Sequence, residues 1–333
     1  MLLLLAACVA ESGSASPAGD TSRSHTGDTA SDPLETASAP NDTAPDSSET
    51  AGDPDTGDHD SADTALDTGA APITGPCAAY APAIGFGPVQ DPGLNELSGL
   101  AVSRQNPGIL WTHEDSGGSP DLYALDSAGD TVATIHLEGV TNNDWEDLAI
   151  GPCGAGWCLV VGEIGTADWE HSVLVVEEPL LDGTAEYTLI PEVRPFTYPG
   201  DPEDAEGLAL FPDGTPLIVT KRADATAGLF QLPAGASELE WLADIATGAA
   251  GEDLTARATA ADLSTDSTTL LVRTYLHLYE VDVTNPRAPG TPVVTPFALE
   301  LQGEAVAYDP IQGGFWQVGE GSNRSLFYTG CVE

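Results

Sequence analysis

The chain has a single lysine, Lys221, and only 9 Lys plus Arg against 53 Asp plus Glu in 333 residues. The formal net charge of −44 repels phosphate backbones, which excludes nucleic acid as a partner. Contact with anionic lipid head groups through basic residues is disfavoured for the same reason. So few cations leave most carboxylates to water or to metal ions. No stretch approaches the roughly 20 apolar residues of a membrane-spanning helix. A Gly-x-Ser-x-Gly elbow, a His-Glu-x-x-His pair and a Walker loop are all missing. No amphipathic helix of ordinary length stands out either.

Cysteine is sparse, with five residues, and their placement is informative. Residues 1–8 read MLLLLAAC, and Leu5-Ala6-Ala7-Cys8 resembles the lipobox of bacterial lipoproteins. In those proteins the cysteine is diacylated and becomes the mature N-terminus, and several acyl chains together give firm anchoring. The expectation is an exported protein held to a lipid bilayer through Cys8, at the outer membrane or cell surface. The other four, Cys77, Cys153, Cys158 and Cys331, form an even set suited to two disulfides in an oxidising compartment. Cys153 and Cys158 bracket a Gly-Ala-Gly-Trp turn and can clamp a hairpin, which leaves Cys77 for Cys331.

Residues 9–75 are a different polymer from the rest. They are Ser, Thr, Asp, Ala, Gly and Pro with recurring Asp-Thr units, no aromatic residue and a single basic residue, Arg23. Such a segment buries too little apolar surface to offset its ordering entropy and is expected to be a disordered, self-repelling stalk. The folded domain is expected over 76–333.

There the texture becomes short β runs separated by Gly, Pro, Asp and Asn clusters. Strands are expected at Ile109–Thr112, Asp121–Asp126, Thr131–Leu137, Cys158–Gly162, Ser172–Glu177, Leu217–Thr220, Gly228–Leu232, Thr269–Arg273 and Leu278–Val283. Five segments repeat an apolar anchor followed by a small residue: Glu96–Ala101, Asp144–Ala149, Asp204–Ala209, Thr259–Ser264 and Gln302–Ala307. Aligned on Leu100, Leu148, Leu208, Leu263 and Val306, the intervals are 48, 60, 55 and 43 residues. A second strand follows each, and four repeats continue into a third containing Leu122-Tyr123, Leu229-Phe230, Leu278-Tyr279 or Leu326-Phe327. One four-stranded unit every ~50 residues is a propeller blade rather than a sandwich. The last repeat has room for three strands, and Tyr80–Val89 can supply its fourth. A Cys77–Cys331 disulfide would lock that seam, worth roughly 4–5 kcal/mol in loop entropy. The expected fold is all-β, a single monomeric β-propeller of five blades, or six if Glu186–Tyr198 conceals another.

The runs Glu-Leu-Ser-Gly-Leu-Ala, Leu-Trp-Thr-His-Glu-Asp-Ser-Gly-Gly, Asp-Trp-Glu-Asp-Leu-Ala and Val-Gly-Glu-Ile-Gly resemble a family of uncharacterised secreted bacterial β-propellers. Asp204–Ala209, Arg273-Thr-Tyr275 and Gly303–Val306 match its later motifs. The likeness spans nearly all of 90–333 and extends distantly to esterase-like phytase and lactonase-type propellers. It implies a fold and carries no activity with it. Glu163 stands where that family has Asp, and Thr166-Ala167 replace its Asp-Asn.

In a propeller the first strand of each blade lines the central channel, so Glu96, Asp144, Glu146, Asp204, Glu206 and Glu304 are expected to converge near one mouth. Second-strand ends add His113, Asp115, Glu163, Lys221, Arg222, Arg273 and Glu320. So many carboxylates in one ring cannot all stay ionised and unpaired. Lys221, Arg222 and Arg273 could compensate them as an ion network. A Ca²⁺ bound by Glu96, Asp144, Glu146, Asp204, Glu206 and Glu304 is the second reading. The third is a catalytic ring in which Glu146, Glu206, Glu304 or His113 serves as base beside metal-activated water. Two functions follow: a surface module that binds a protein, glycan or small molecule, or a calcium-dependent extracellular hydrolase of phosphoesters or lactones. Trp145 and Trp316 could stack on a sugar, but core packing is the default reading of both.

Overall fold

The computed structural model describes residues 75–166, 170–248, 256–300, 302–321 and 324–332. Cys8 and nearly all of the acidic stalk lie outside the described residues. What is described is an all-β, five-bladed propeller, and each blade is one sheet. The first blade is β2 (Leu97–Val102), β3 (Ile109–Glu114), β4 (Asp121–Asp126) and β5 (Thr131–Leu137). The second is β6 (Trp145–Cys153), β7 (Gly156–Glu163), β8 (Ser172–Glu177) and β10 (Glu192–Pro195). Blade three runs through β11 (Ala205–Leu210), β12 (Pro216–Thr220), β13 (Thr226–Gln231) and β14 (Glu240–Ala246). Blade four comprises β15 (Ala258–Leu263), β16 (Thr269–Thr274), β17 (Leu278–Asp282) and β18 (Val293–Val294). The fifth joins β19 (Gly303–Tyr308), β20 (Phe315–Gly319) and β21 (Ser325–Thr329) to β1 (Ile84–Pro88) from the other end of the chain.

The ring therefore closes as the sequence suggests. β1 pairs antiparallel with β21, Tyr80 bridges Cys331, and the Cys77–Cys331 disulfide spans a Cα separation of 5.2 Å. Cys153 and Cys158 are bonded across the β6–β7 hairpin. The long second interval holds no sixth blade. Its extra strand, β9 (Glu186–Leu189), adds in parallel to the outer edge of β5 in the first blade, and the chain then returns as β10.

Apolar alternation explains how the blades stack. In β7, Leu159 and Val161 pack toward blade one, while Val160 between them packs toward blade three. In β16, Leu270 and Val272 face blade three and Leu271 faces blade five. A strand clamped between two neighbours is apolar on both faces, with opposite faces serving different interfaces. Each of the five junctions consequently holds its own apolar core. The innermost strands β2, β6, β11, β15 and β19 pack each on the next, and β19 returns to β2.

Candidate functional site

Every innermost strand carries an irregularity near its start. Register shifts fall between Leu97 and Leu100, Trp145 and Asp147, Ala205 and Gly207, Ala258 and Ala260, and Gly303 and Ala305. A bulge releases one residue from the two-residue alternation and re-aims its side chain. The released residues are Ser98, Glu146, Glu206, Thr259 and Glu304. Ser98 and Thr259 use their hydroxyls to reach the next blade, donating to the carbonyls of Glu146 and Gly303. The three glutamates have no such use; Glu206 lies within electrostatic reach of both Glu146 and Glu304, and the set meets Asp115, Asp144, Lys221 and Glu320.

These bulges also correct the alignment of the fourth repeat. Thr259 occupies the place of Glu146, Glu206 and Glu304, so the residue equivalent to Leu208 is Ala261 rather than Leu263. The position four before the anchor is then Arg257, not Thr259. A slip of two leaves every side chain on its correct face, since Ala261 and Leu263 both pack toward blade three. Apolar patterning could not detect it.

A second layer is formed where the second strands end. Asp115, Lys221 and Glu320 each donate their backbone N–H to the carbonyl of Glu96, Asp204 or Gln302 at distances of 2.7, 2.9 and 2.9 Å. In blade two Gly165 donates likewise to Asp144. A Cβ on Gly165 would stand 2.1 Å from a Glu146 oxygen and 2.6 Å from the Asp144 carboxylate. Only glycine leaves those two carboxylates room. Asp115, Asp144 and Glu146 each offer an oxygen within 4.8 Å of the others. That spacing suits a cation whose oxygen ligands lie at roughly 2.3–2.6 Å, on opposite or adjacent sides.

Burial and mutual repulsion raise the carboxyls of this layer. Burial pushes the Glu146 carboxyl well above the usual range, and Glu206, Asp115 and Asp144 push it further. Asp144 is raised to about 6, first by burial and then by Asp115, Asp204 and Glu163. Burial lifts Glu206 to about 8 despite the opposing pull of Lys221. Glu304, Asp115, Asp204 and Glu320 are raised as well, burial again being the main cause. Lys221 pairs with Glu206 and sits over the Tyr275 ring, 5.4 Å from its centroid. Burial opposes its charge, but Glu206 and Tyr275 outweigh that cost and its pKa is raised.

The remaining sequence candidates have partners of their own, although Arg273 still lowers the Glu304 carboxyl and Glu163 raises that of Asp144. Glu96 is exposed at the rim. Glu163 holds the turn before β6, accepting from the Asp144 N–H at 2.7 Å and the Asn143 N–H at 3.3 Å. Arg222 binds Glu203 and Asp244 on the outer side of blade three, not the ring. Arg273 is buried against Glu300 at 2.7 Å and the Ala305 carbonyl at 2.9 Å. His113 is fully buried edge-on to Trp145, and burial lowers its pKa to about 4. Trp145 and Trp316 are core residues, 0% and 5% exposed. Reading the sequence missed Arg257, hidden by the slipped alignment, and Tyr275, which the Arg-Thr-Tyr motif signalled without a role.

No family model matches this chain, and no curated protein matches it. Among solved structures it is similar to the PQQ-bound aldose sugar dehydrogenase from Streptomyces coelicolor, at 11% identity over 78% of this chain and 99% of that one, with a TM-score of 0.48. Glutaminyl cyclase from Myxococcus xanthus is another, at 15% identity over 78% of this chain and 100% of that one, with a TM-score of 0.46. Neither likeness carries an activity to this chain.

Proposed function

We propose that this protein is a ligand-binding propeller of the cell exterior whose channel mouth takes a divalent cation, calcium by its all-oxygen donor set. The observation that carries this reading is the trio Asp115, Asp144 and Glu146, gathered within 4.8 Å and given room by Gly165. A cation there relieves the mutual repulsion that raises these carboxyls, and the fixed charge would present an open coordination face to a ligand. Two disulfides support the oxidising compartment of this reading. Lipidation at Cys8 and an extended acidic stalk belong to the same reading, with the stalk giving the propeller reach from the bilayer.

The test is calcium titration of the purified full-length chain by calorimetry. One ion per chain with Kd of about 0.1–1 mM is expected, in the range of extracellular calcium modules. Glu146→Gln and Asp144→Asn should each weaken it at least ~10-fold, the effect of losing a charged ligand. No stoichiometric ion at millimolar calcium would overturn the reading. The hydrolase alternative gains little from His113, which is buried and points at the Glu114 carbonyl, 2.9 Å away. Calcium-dependent turnover of phosphoester or lactone substrates would restore it.

A further inference from the structure

Glu203 and Arg222 are the chain neighbours of Asp204 and Lys221, yet they leave the channel mouth and build a second feature. Arg222 donates to both carboxylate oxygens of Glu203, at 2.5 and 2.6 Å, and to Asp244 at 2.8 Å. Asp244 lies on β14, the outer strand of blade three, three residues from Trp241, whose indole N–H approaches it at 3.4 Å. Trp241 is 50% exposed, whereas Trp111, Trp145 and Trp316 are 5% or less. An indole left in water on an outer strand forgoes a large burial gain and is conspicuous for that reason. These groups line a cleft of 440 Å³ beside the Tyr198–Gly200 turn, and Tyr198 and Phe230 meet edge to face at 5.1 Å among its walls. The cleft is open to solvent, so it can seat one face of a small ligand without enclosing it.

We propose that this cleft binds a pyranose ring of a saccharide. A sugar ring has an apolar C–H face and a rim of hydroxyls. The exposed indole suits the first. The oriented carboxylate and guanidinium edges of Glu203, Asp244 and Arg222 suit vicinal hydroxyls, which both donate and accept. One Arg222 guanidinium faces the Glu203 and Asp244 carboxylates, with Asp201 a third acid on the same cleft, so the lining is net negative and repels anions. The carboxylate oxygens left over by the fork accept from sugar hydroxyls, and the exposed indole takes the C–H face, which a small hydrated cation does not use. The site is distinct from the calcium trio and does not depend on it.

Saturation-transfer NMR on the full-length chain tests this, with glucose, galactose, N-acetylglucosamine and their β-linked trisaccharides as probes. Transfer to ring C–H protons is expected for at least one probe. Trp241→Ala should weaken it by about tenfold and Trp241→Phe by less, since a smaller ring keeps part of the stacking. Asp244→Asn, at a half-exposed position, should weaken binding while leaving the thermal midpoint close to wild type. Equal affinity for mono- and trisaccharide supports a single-ring site, and tighter trisaccharide binding supports a glycan chain. Either outcome agrees with the proposal. No transfer from any probe at about 10 mM, a concentration that detects even millimolar Kd, overturns it, as does unchanged affinity in Trp241→Ala.

Discussion

Asp147 has no exposed surface, yet its carboxylate ties three blades together. One oxygen accepts from its own strand at Leu148, and the other accepts from Leu208 in blade three and Ala261 in blade four, at 2.8 and 3.0 Å. Replacing it with alanine strands three buried backbone N–H groups, each worth about 1–3 kcal/mol. Asp147→Ala is expected to lose at least ~3 kcal/mol in urea unfolding, and Asp147→Asn, which keeps one good acceptor, less. Titration also acts at single residues. Glu206 is raised to about 8, and the fully buried Asp262 to about 6, both chiefly by burial. A carboxyl whose folded pKa exceeds its unfolded value contributes stability below the unfolded pKa and loses it as pH rises through the folded one. In EDTA the thermal midpoint should therefore fall from pH 5 to pH 8. Calcium should remove most of that fall if it neutralises the mouth; calorimetric scans at both pH values decide.

The strand is the scale at which patterning was both informative and misleading. Asp121–Asp126, Thr131–Leu137 and Ser172–Glu177 were legible to the residue, because flanking Gly, Pro and Asp turns bound them. The fourth repeat was not, because Asp-Leu recurs one pleat deeper there. Asp262 accepts from Leu263 and Tyr308 as Asp147 accepts from Leu148 and Leu208, so the two look alike in sequence while sitting at different depths. Close strand contact supplies another prediction. A Cβ on Gly207 would lie 2.9 Å from the Cβ atoms of Ala261 and Val219, where β11 meets β15. Gly207→Ala should cost about 1–3 kcal/mol by overpacking. Thermal unfolding checks it, and an unchanged midpoint would show that the junction of blades three and four yields.

Closure is a property of the whole domain. The Cys77–Cys331 bond joins residues 254 apart, whereas Cys153–Cys158 joins residues 5 apart. Loop entropy assigns the first about 5.5 kcal/mol and the second about 2. Urea unfolding of Cys77→Ser/Cys331→Ser should show the larger loss, and Cys153→Ser/Cys158→Ser the smaller. The reverse order would mean that β1–β21 pairing and the fifth blade's core already hold the seam shut.

By itself the sequence determined the propeller architecture, narrowed to five or six blades, the closing strand and both disulfides, because each follows from local spacing: repeats of ~50 residues, strands of period two, cysteines at the two ends of the folded domain. Tertiary structure alone decided which side chains share a site. The bulges, the glycine at 165 and the fork at Arg222 depend on where one blade's backbone meets the next, and period-two patterning is blind to a shift of two. Thus Arg222 left the ring for partners of its own, Glu163 and Arg273 bind backbone and Glu300 while still acting on Asp144 and Glu304, Arg257 came into alignment with the rim positions, and Asp115 joined Asp144 and Glu146 across the junction of blades one and two.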